Sequence, residues 1–289
     1  MKRNYFFSAL AVAAAAFWVL SPAPASAQSK TSSQKSADTK YDAPALHKGQ
    51  SAPAPHTADG HVDLSGMWIE KYAALGADTA APEPQTHAAA EAAPRYPSDA
   101  LPYQPAAAKK ARQLFDSGKA DPLLHCEPYG VPRIWGGPHP ARLVQLPGEL
   151  IVLYERDTAY RIIPTDGRPH PKDADPSWMG NSVGTWQGDT LVVDTIDLID
   201  KSWLGIGKNA GEGSGTFHSD SLHVTEKFRR RDRDHMTIEI TNDDPKVFTH
   251  PWTYTWNMNY VPDEQMYEDV TCSNEQDLDH VVPNQPAAK

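Results

Sequence analysis

The chain has only two cysteines in 289 residues, too few for a scaffold held by several bridges, and they form no CxxC pair for redox or zinc chemistry. After the first twenty residues no stretch approaches the roughly 20 consecutive apolar residues that a membrane-spanning helix needs. Basic excess is missing as well, the formal charge being −10. Phosphate backbones call for a basic surface, so nucleic acid is not expected as a partner. The same balance disfavours adhesion to anionic lipid. The chain contains no HExxH or Gly-x-Ser-x-Gly and no strand–glycine-rich turn–helix unit to cradle a phosphate. Asp173 and Asp175 lack the glycine and distal glutamate of a calcium loop. No cofactor and no metal are expected.

What is present begins with a leader. Lys2 and Arg3 precede a continuous apolar run from Phe6 to Leu20, and Ala25-Ser26-Ala27 has the small-x-small form of a signal-peptidase site. Residues 1–27 are therefore expected to be a signal peptide cleaved near Ala27, leaving a periplasmic or secreted protein with no stable membrane anchor. Residues 28–57, rich in Ser, Lys, Ala, Pro and His, are expected to form a disordered tether. A single β-rich domain is expected over 58–280, irregular at 74–105, with a disordered tail at 281–289. In an oxidising compartment Cys126 and Cys272 are expected to form a disulfide, which the chain-entropy model values at about 4–5 kcal/mol for so long a loop.

Strand signals dominate the core. Leu64 to Ile69 opens it. Arg142 to Leu146 and Leu150 to Glu155 flank Pro147-Gly148, Tyr160 to Ile163 follows, and Ser182 to Trp186 and Thr190 to Thr195 flank Gly188-Asp189. Leu222 to Arg230, Met236 to Thr241, Thr253 to Tyr260 and Met266 to Thr271 complete about ten short strands. That pattern predicts a mainly β fold: an antiparallel meander forming a calycin-like barrel or a strongly curved sandwich, with one or two peripheral helices. The good helix, 106–117, is rich in Ala, Lys, Arg, Gln and Leu, with Gly118 as its stop. Strand alternation places Leu222, Val224, Glu226 and Phe228 on one face, and Tyr254, Trp256, Met258 and Tyr260 on another. The block Arg229 to Asp234 is expected to be a solvated hairpin end, because aspartates interleave its arginines.

Several segments together resemble an uncharacterised family of secreted bacterial proteins. They are Asp63-Leu64-Ser65-Gly66-Met67-Trp68, Cys126 to Arg133, Thr165 to Pro171, Asp175 to Gly180, Gly188 to Thr195, His223 to Arg229, Asp243-Asp244-Pro245 and Pro251-Trp252-Thr253. The resemblance implies one exported domain and supplies no reaction. Gly66-Met67-Trp68, opening the first strand, also resembles the GxW of lipocalins and related calycin barrels. That likeness implies that Trp68 closes one barrel end with an arginine from a late strand packed over it.

Two loops carry candidate chemistry. Pro164 to Asn181 brings Asp166, Arg168 and His170 beside Trp178, an arrangement suited to a general base with an anion-holding guanidinium. The alternative is a rigid loop held by aspartate turns and Arg–carboxylate pairs. His218 to Glu226 offers His223 and Glu226, which point to opposite faces of a strand. Glu226 lies on an apolar face, where a carboxylate is costly unless paired; it is either a general acid or half of a structural pair with an arginine such as Arg161. Tyr254, Trp256 and Tyr260, with Trp178, are candidate ligand-binding rings or plain core.

These features lead to an exported β-barrel-like protein that binds a small amphipathic or aromatic/sugar-like ligand. An alternative is an extracytoplasmic hydrolase, lyase or isomerase in which His170, Asp166, Arg168, Glu226 and His223 form an acid–base site at the cavity mouth. A structural envelope protein is the third reading.

Overall fold

Alternation of apolar and polar side chains produces nine strands in the computed structural model, which describes residues 52–70, 96–117, 121–136, 139–205 and 215–269. The expected signal peptide, most of the tether, the tail and Cys272 lie outside the described residues. The strands are β1 (Gly66–Glu70), β2 (Ala141–Leu146), β3 (Glu149–Tyr154), β4 (Tyr160–Pro164), β5 (Asn181–Gln187), β6 (Thr190–Ile196), β7 (His223–Arg230), β8 (His235–Asp243) and β9 (Trp252–Tyr260). They form one sheet in the order β4-β3-β2-β1-β9-β8-β7-β6-β5, every hydrogen-bonded pair antiparallel. The sheet curls into a nearly closed barrel, each strand lying beside its sequence neighbours and β9 returning to pair with β1.

The tenth strand expected at Met266 to Thr271 does not form over 266–269. Both edges of β1 are already taken by β2 and β9, and both edges of β9 by β8 and β1, so the chain leaving β9 meets no open edge. Side chains hold it instead: Tyr267 N–H donates to Glu155 Oε2 at 2.8 Å, and Arg156 Nη1 reaches Asp269 Oδ2 at 3.2 Å.

Nine is an odd number, and it sets the character of the wall. Strands cannot alternate direction all the way round an odd ring, so one neighbouring pair must run parallel. That pair is β4 and β5, which carry no ladder to each other. Parallel neighbours need a crossover of a dozen or more residues, and residues 165–180 supply it along the outside. The seam is closed by side chains. Arg161 Nη2 of β4 donates to Ser182 Oγ of β5 at 2.9 Å and to Thr195 Oγ1 of β6 at 3.0 Å. A methyl group on Gly184 would press on Thr165 and Ile163, so the strands approach closely where β5 has no side chain.

The two ends differ. At the lower end the tight hairpins β2–β3, β5–β6 and β7–β8 turn, and Trp68 closes the interior. Trp68 is fully buried, donates its indole N–H to Leu64 O at 3.0 Å, and lies 4.9 Å beneath the Arg230 guanidinium. Arg230 is thus a correction to the solvated hairpin end expected of the basic block: it is 6 % exposed and donates to the carbonyls of Asp63, Asp232 and Arg233. Ala52 to Thr57 also join the fold here, ahead of residue 58, with Ala52 O accepting from Arg233 N–H and Pro55 O from Asp63 N–H.

The upper end receives the long connections. The helix α1 (Pro105–Asp116) starts with a proline at its first turn and buries Ala107 and Ala111, one turn apart, where Gly215 lies against the Ala111 carbonyl. Residues 129–136 enter the barrel and place Ile134 and Trp135 in its core.

Candidate functional site

Register determines which inner side chains are neighbours. Trp252, Asn242, Val224, Thr195 and Ser182 form one row across β9 to β5; Tyr254, Ile240, Glu226, Val193 and Gly184 form the next; Trp256, Ile238, Phe228, Leu191 and Trp186 a third.

Glu226 sits in the middle row with no solvent exposure. Arg161 grips it through Nη2–Oε2 at 2.6 Å and Nη1–Oε1 at 3.1 Å, and Trp135 donates its indole N–H to Oε1 at 2.6 Å. Arg161 also reaches Tyr154 OH at 3.3 Å. Burial works against the guanidinium charge, but the adjoining Glu226 carboxylate outweighs it and holds Arg161 above its ordinary range. Burial raises the Tyr154 phenol. This carboxylate is therefore tied off on every side by a planar bidentate partner and an indole, the arrangement of a structural pair.

The β9 stripe behaves differently. Ile238, Ile240 and Asn242 of β8 are wholly buried, yet the rings opposite them, Trp256, Tyr254 and Trp252, keep partial exposure while facing the same interior. The β9 rings are thus less fully enclosed than their β8 neighbours, although they pack against the same core. The rings pack on one another, Trp252 with Tyr254 and Tyr254 with Trp256, each at 5.6 Å between centroids. Their polar tips, Trp252 Nε1, Tyr254 OH and Trp256 Nε1, are shielded and without hydrogen-bond partners, as are both amide atoms of Asn242. Trp256 N–H leans toward the Tyr254 oxygen but falls short of bonding geometry. Burial, aided by the Glu226 carboxylate, pushes the Tyr254 phenol up, keeping it a neutral donor.

The remaining rings lie elsewhere. Tyr260 belongs to the lower closure, 5.3 Å from Trp68 and beneath Arg230. Trp178 ends the crossover, where its carbonyl accepts from Val131 N–H at 2.9 Å.

The polar residues of the loops do not converge on Glu226. Asp166 and Arg168 bind each other in an exposed turn, Arg168 Nη2–Asp166 Oδ2 being 2.5 Å, and the guanidinium holds the Asp166 carboxyl down at about 2. His170 reaches the outer wall, its Nε2 2.8 Å from Asp194 Oδ2, while His223 Nε2 bonds Asp194 Oδ1. Half-burial opposes the Asp194 charge, but the two imidazoles prevail and keep its carboxyl below the usual range. Each imidazole takes its own carboxylate oxygen, and among the described residues no group of three or more such side chains is arranged to hold a metal. The arrangement anchors the crossover to β6 and β7. An acid–base site would need Asp166, Arg168, His170 and Glu226 around one pocket; instead they occupy the two faces of the sheet. On the outside, the seam holds a cleft of about 270 Å³ lined by Tyr160, Ile162, Arg168, Pro171, Met179 and Val183 among others.

Three participants escaped the sequence reading. Arg230 follows from continuing the β7 alternation two residues past Phe228. Asp194 is on β6's outer face by the same parity, though nothing local pairs it with two histidines from other segments. Trp135 lies in irregular chain, where no periodicity marks it.

A buried Ser–His pair sits near the upper end. Ser202 Oγ lies 2.9 Å from His218 Nε2, and His218 Nδ1–H donates to Ser219 O at 2.9 Å, so Nε2 accepts from the serine. His218 is 2 % exposed, and burial pushes its imidazole below the ordinary value of 6.5. The unfolded chain protonates first on acidification, so this residue's stabilisation is lost as pH falls below about 6.5. We expect the thermal midpoint to drop from about pH 7 to pH 5 less steeply in His218→Gln than in the parent, all other titrations being shared; equal slopes would refute this.

No family model, curated protein or solved structure matches the chain.

Proposed function

We propose that this is an extracytoplasmic binding protein that holds a small molecule against the upper inner wall of its barrel. The supporting observation is the β9 stripe: three inward, partly buried rings, with shielded polar tips and a fully buried Asn242 amide left without partners. A shielded polar group without a partner costs about 1–3 kcal/mol, so five such atoms on adjacent strands mark a surface made to be bonded. Concave, aromatic-lined interiors with a few polar atoms are the usual form of small-molecule sites. The closed lower end, with Arg230 over Trp68, suits a cup open at one side and is the kind of closure the lipocalin likeness implies.

Export is part of this proposal and rests on the leader at residues 1–27. It carries the Cys126–Cys272 disulfide with it. Arg156 joins Tyr129 OH at 2.9 Å to Asp269 Oδ2 at 3.2 Å, which brings the chain three residues from each cysteine to one place. A non-reducing peptide map of protein from its native envelope should show Cys126 and Cys272 in one linked peptide.

The test of binding is native mass spectrometry of the same material. A stoichiometric small-molecule adduct should be present and should disappear on unfolding. A bare chain that also fails to bind any small molecule added back would leave the envelope-structural role as the surviving reading.

A further inference from the structure

The upper inner wall also carries information about what it binds, an inference that rests on the binding reading above. The geometry points to an uncharged carbohydrate ring, recognised by Asn242, Trp252, Tyr254 and Trp256.

The donor inventory comes first. An indole N–H only donates, a phenol donates or accepts, and an amide does both. Trp252, Tyr254 and Trp256 alternate along one strand, so their Cα atoms span roughly 13 Å at the rise of an antiparallel strand, while the Trp256 N–H leans toward the Tyr254 oxygen. The site therefore carries two obligate donors, a phenol that the Trp256 N–H approaches, and the Asn242 amide across from Trp252. A ligand that satisfies them must offer several oxygen acceptors and at least one donor.

Charge narrows the class. Arg161 spends its guanidinium on Glu226, and the carboxylate is already bonded by Arg161 and Trp135. An anion entering beside Tyr254 would meet the Glu226 field with no spare cation in the three rows, and a cation would find that carboxylate occupied. A purely hydrocarbon ligand would strand the donors. Sites built to bond hydroxyls reject analogues lacking them by large factors. Aromatic rings next to polar tips fit the alternating CH and OH faces of a sugar.

The test is titration of the full mature protein, followed by tryptophan fluorescence, with a panel of neutral methyl glycosides and disaccharides. Sialic acid, palmitate and N-phenylnaphthylamine serve as acidic and apolar comparators. We expect saturable binding of at least one neutral glycoside and none of the comparators. Tyr254→Phe should weaken it about tenfold. Asn242→Leu should weaken it tenfold or more while leaving the thermal midpoint equal or higher, since it removes an unpartnered buried amide; a residue of purely structural use would not separate the two readouts. Saturable binding of a comparator with no response to any neutral glycoside would overturn the ligand class and leave the binding reading standing. No binding of any probe would remove both.

Discussion

Replacing Arg161 by Met will lower the unfolding free energy by about 3–5 kcal/mol, because it strands a buried carboxylate. Glu226 has no exposure and would retain only the Trp135 indole. Denaturant unfolding of the single variant and of Arg161→Met/Glu226→Met measures this directly. The double variant should recover most of the loss, since two apolar side chains of similar volume replace the pair without an orphaned charge. The single variant carries an additional cost: Arg161 bonds Ser182 and Thr195 across the seam, where no backbone ladder joins β4 to β5. A shift below about 1 kcal/mol for the single variant, the size of an exposed pair, would show that this cluster is not the buried centre described.

The second large effect is at the lower closure. Trp68→Ala should cost about 3–5 kcal/mol, the range for removing a large ring from a core. Its indole is fully buried, bonds Leu64 O, and supports both Arg230 and Tyr260. Removing it leaves the Arg230 guanidinium half-enclosed without the ring beneath it, a loss of cation–π attraction on top of the cavity. Gly66 belongs to the same closure. It holds φ +135°, and any β-carbon there would overlap the Tyr260 ring. Thermal and denaturant unfolding of Trp68→Ala and Trp68→Phe should give a graded series, with Phe the milder change. A loss of less than about 1 kcal/mol for Ala would mean the end is held by something else.

Period-two alternation made the wall legible in the sequence. It placed Val224, Glu226 and Phe228 on one face of β7, set Tyr254 and Trp256 inward on β9, and left Glu226 either a general acid or the partner of an arginine such as Arg161, of which the pair is what forms. Alternation says which face a residue occupies and nothing about which strand it meets. For that reason Asp194 went unnoticed between His170 and His223, and four polar residues from one loop and one strand were expected at one pocket when they lie on two faces. Trp135 was invisible because irregular chain has no period. The strand at Met266 was expected from composition, yet β1 and β9 had no edge to offer it. That single strand matters beyond its own length, since ten could alternate around a ring and nine cannot.

A pipe slit along its length spreads at the slit, and this one is slit between β4 and β5. Heating or pulling should part those two staves before any rung elsewhere breaks, with the outer clasp of His170, Asp194 and His223 resisting from the crossover. Parting there breaks no backbone rung, since β4 and β5 share no ladder. A seamless ring of the same circumference would have to break its hoops to open at all.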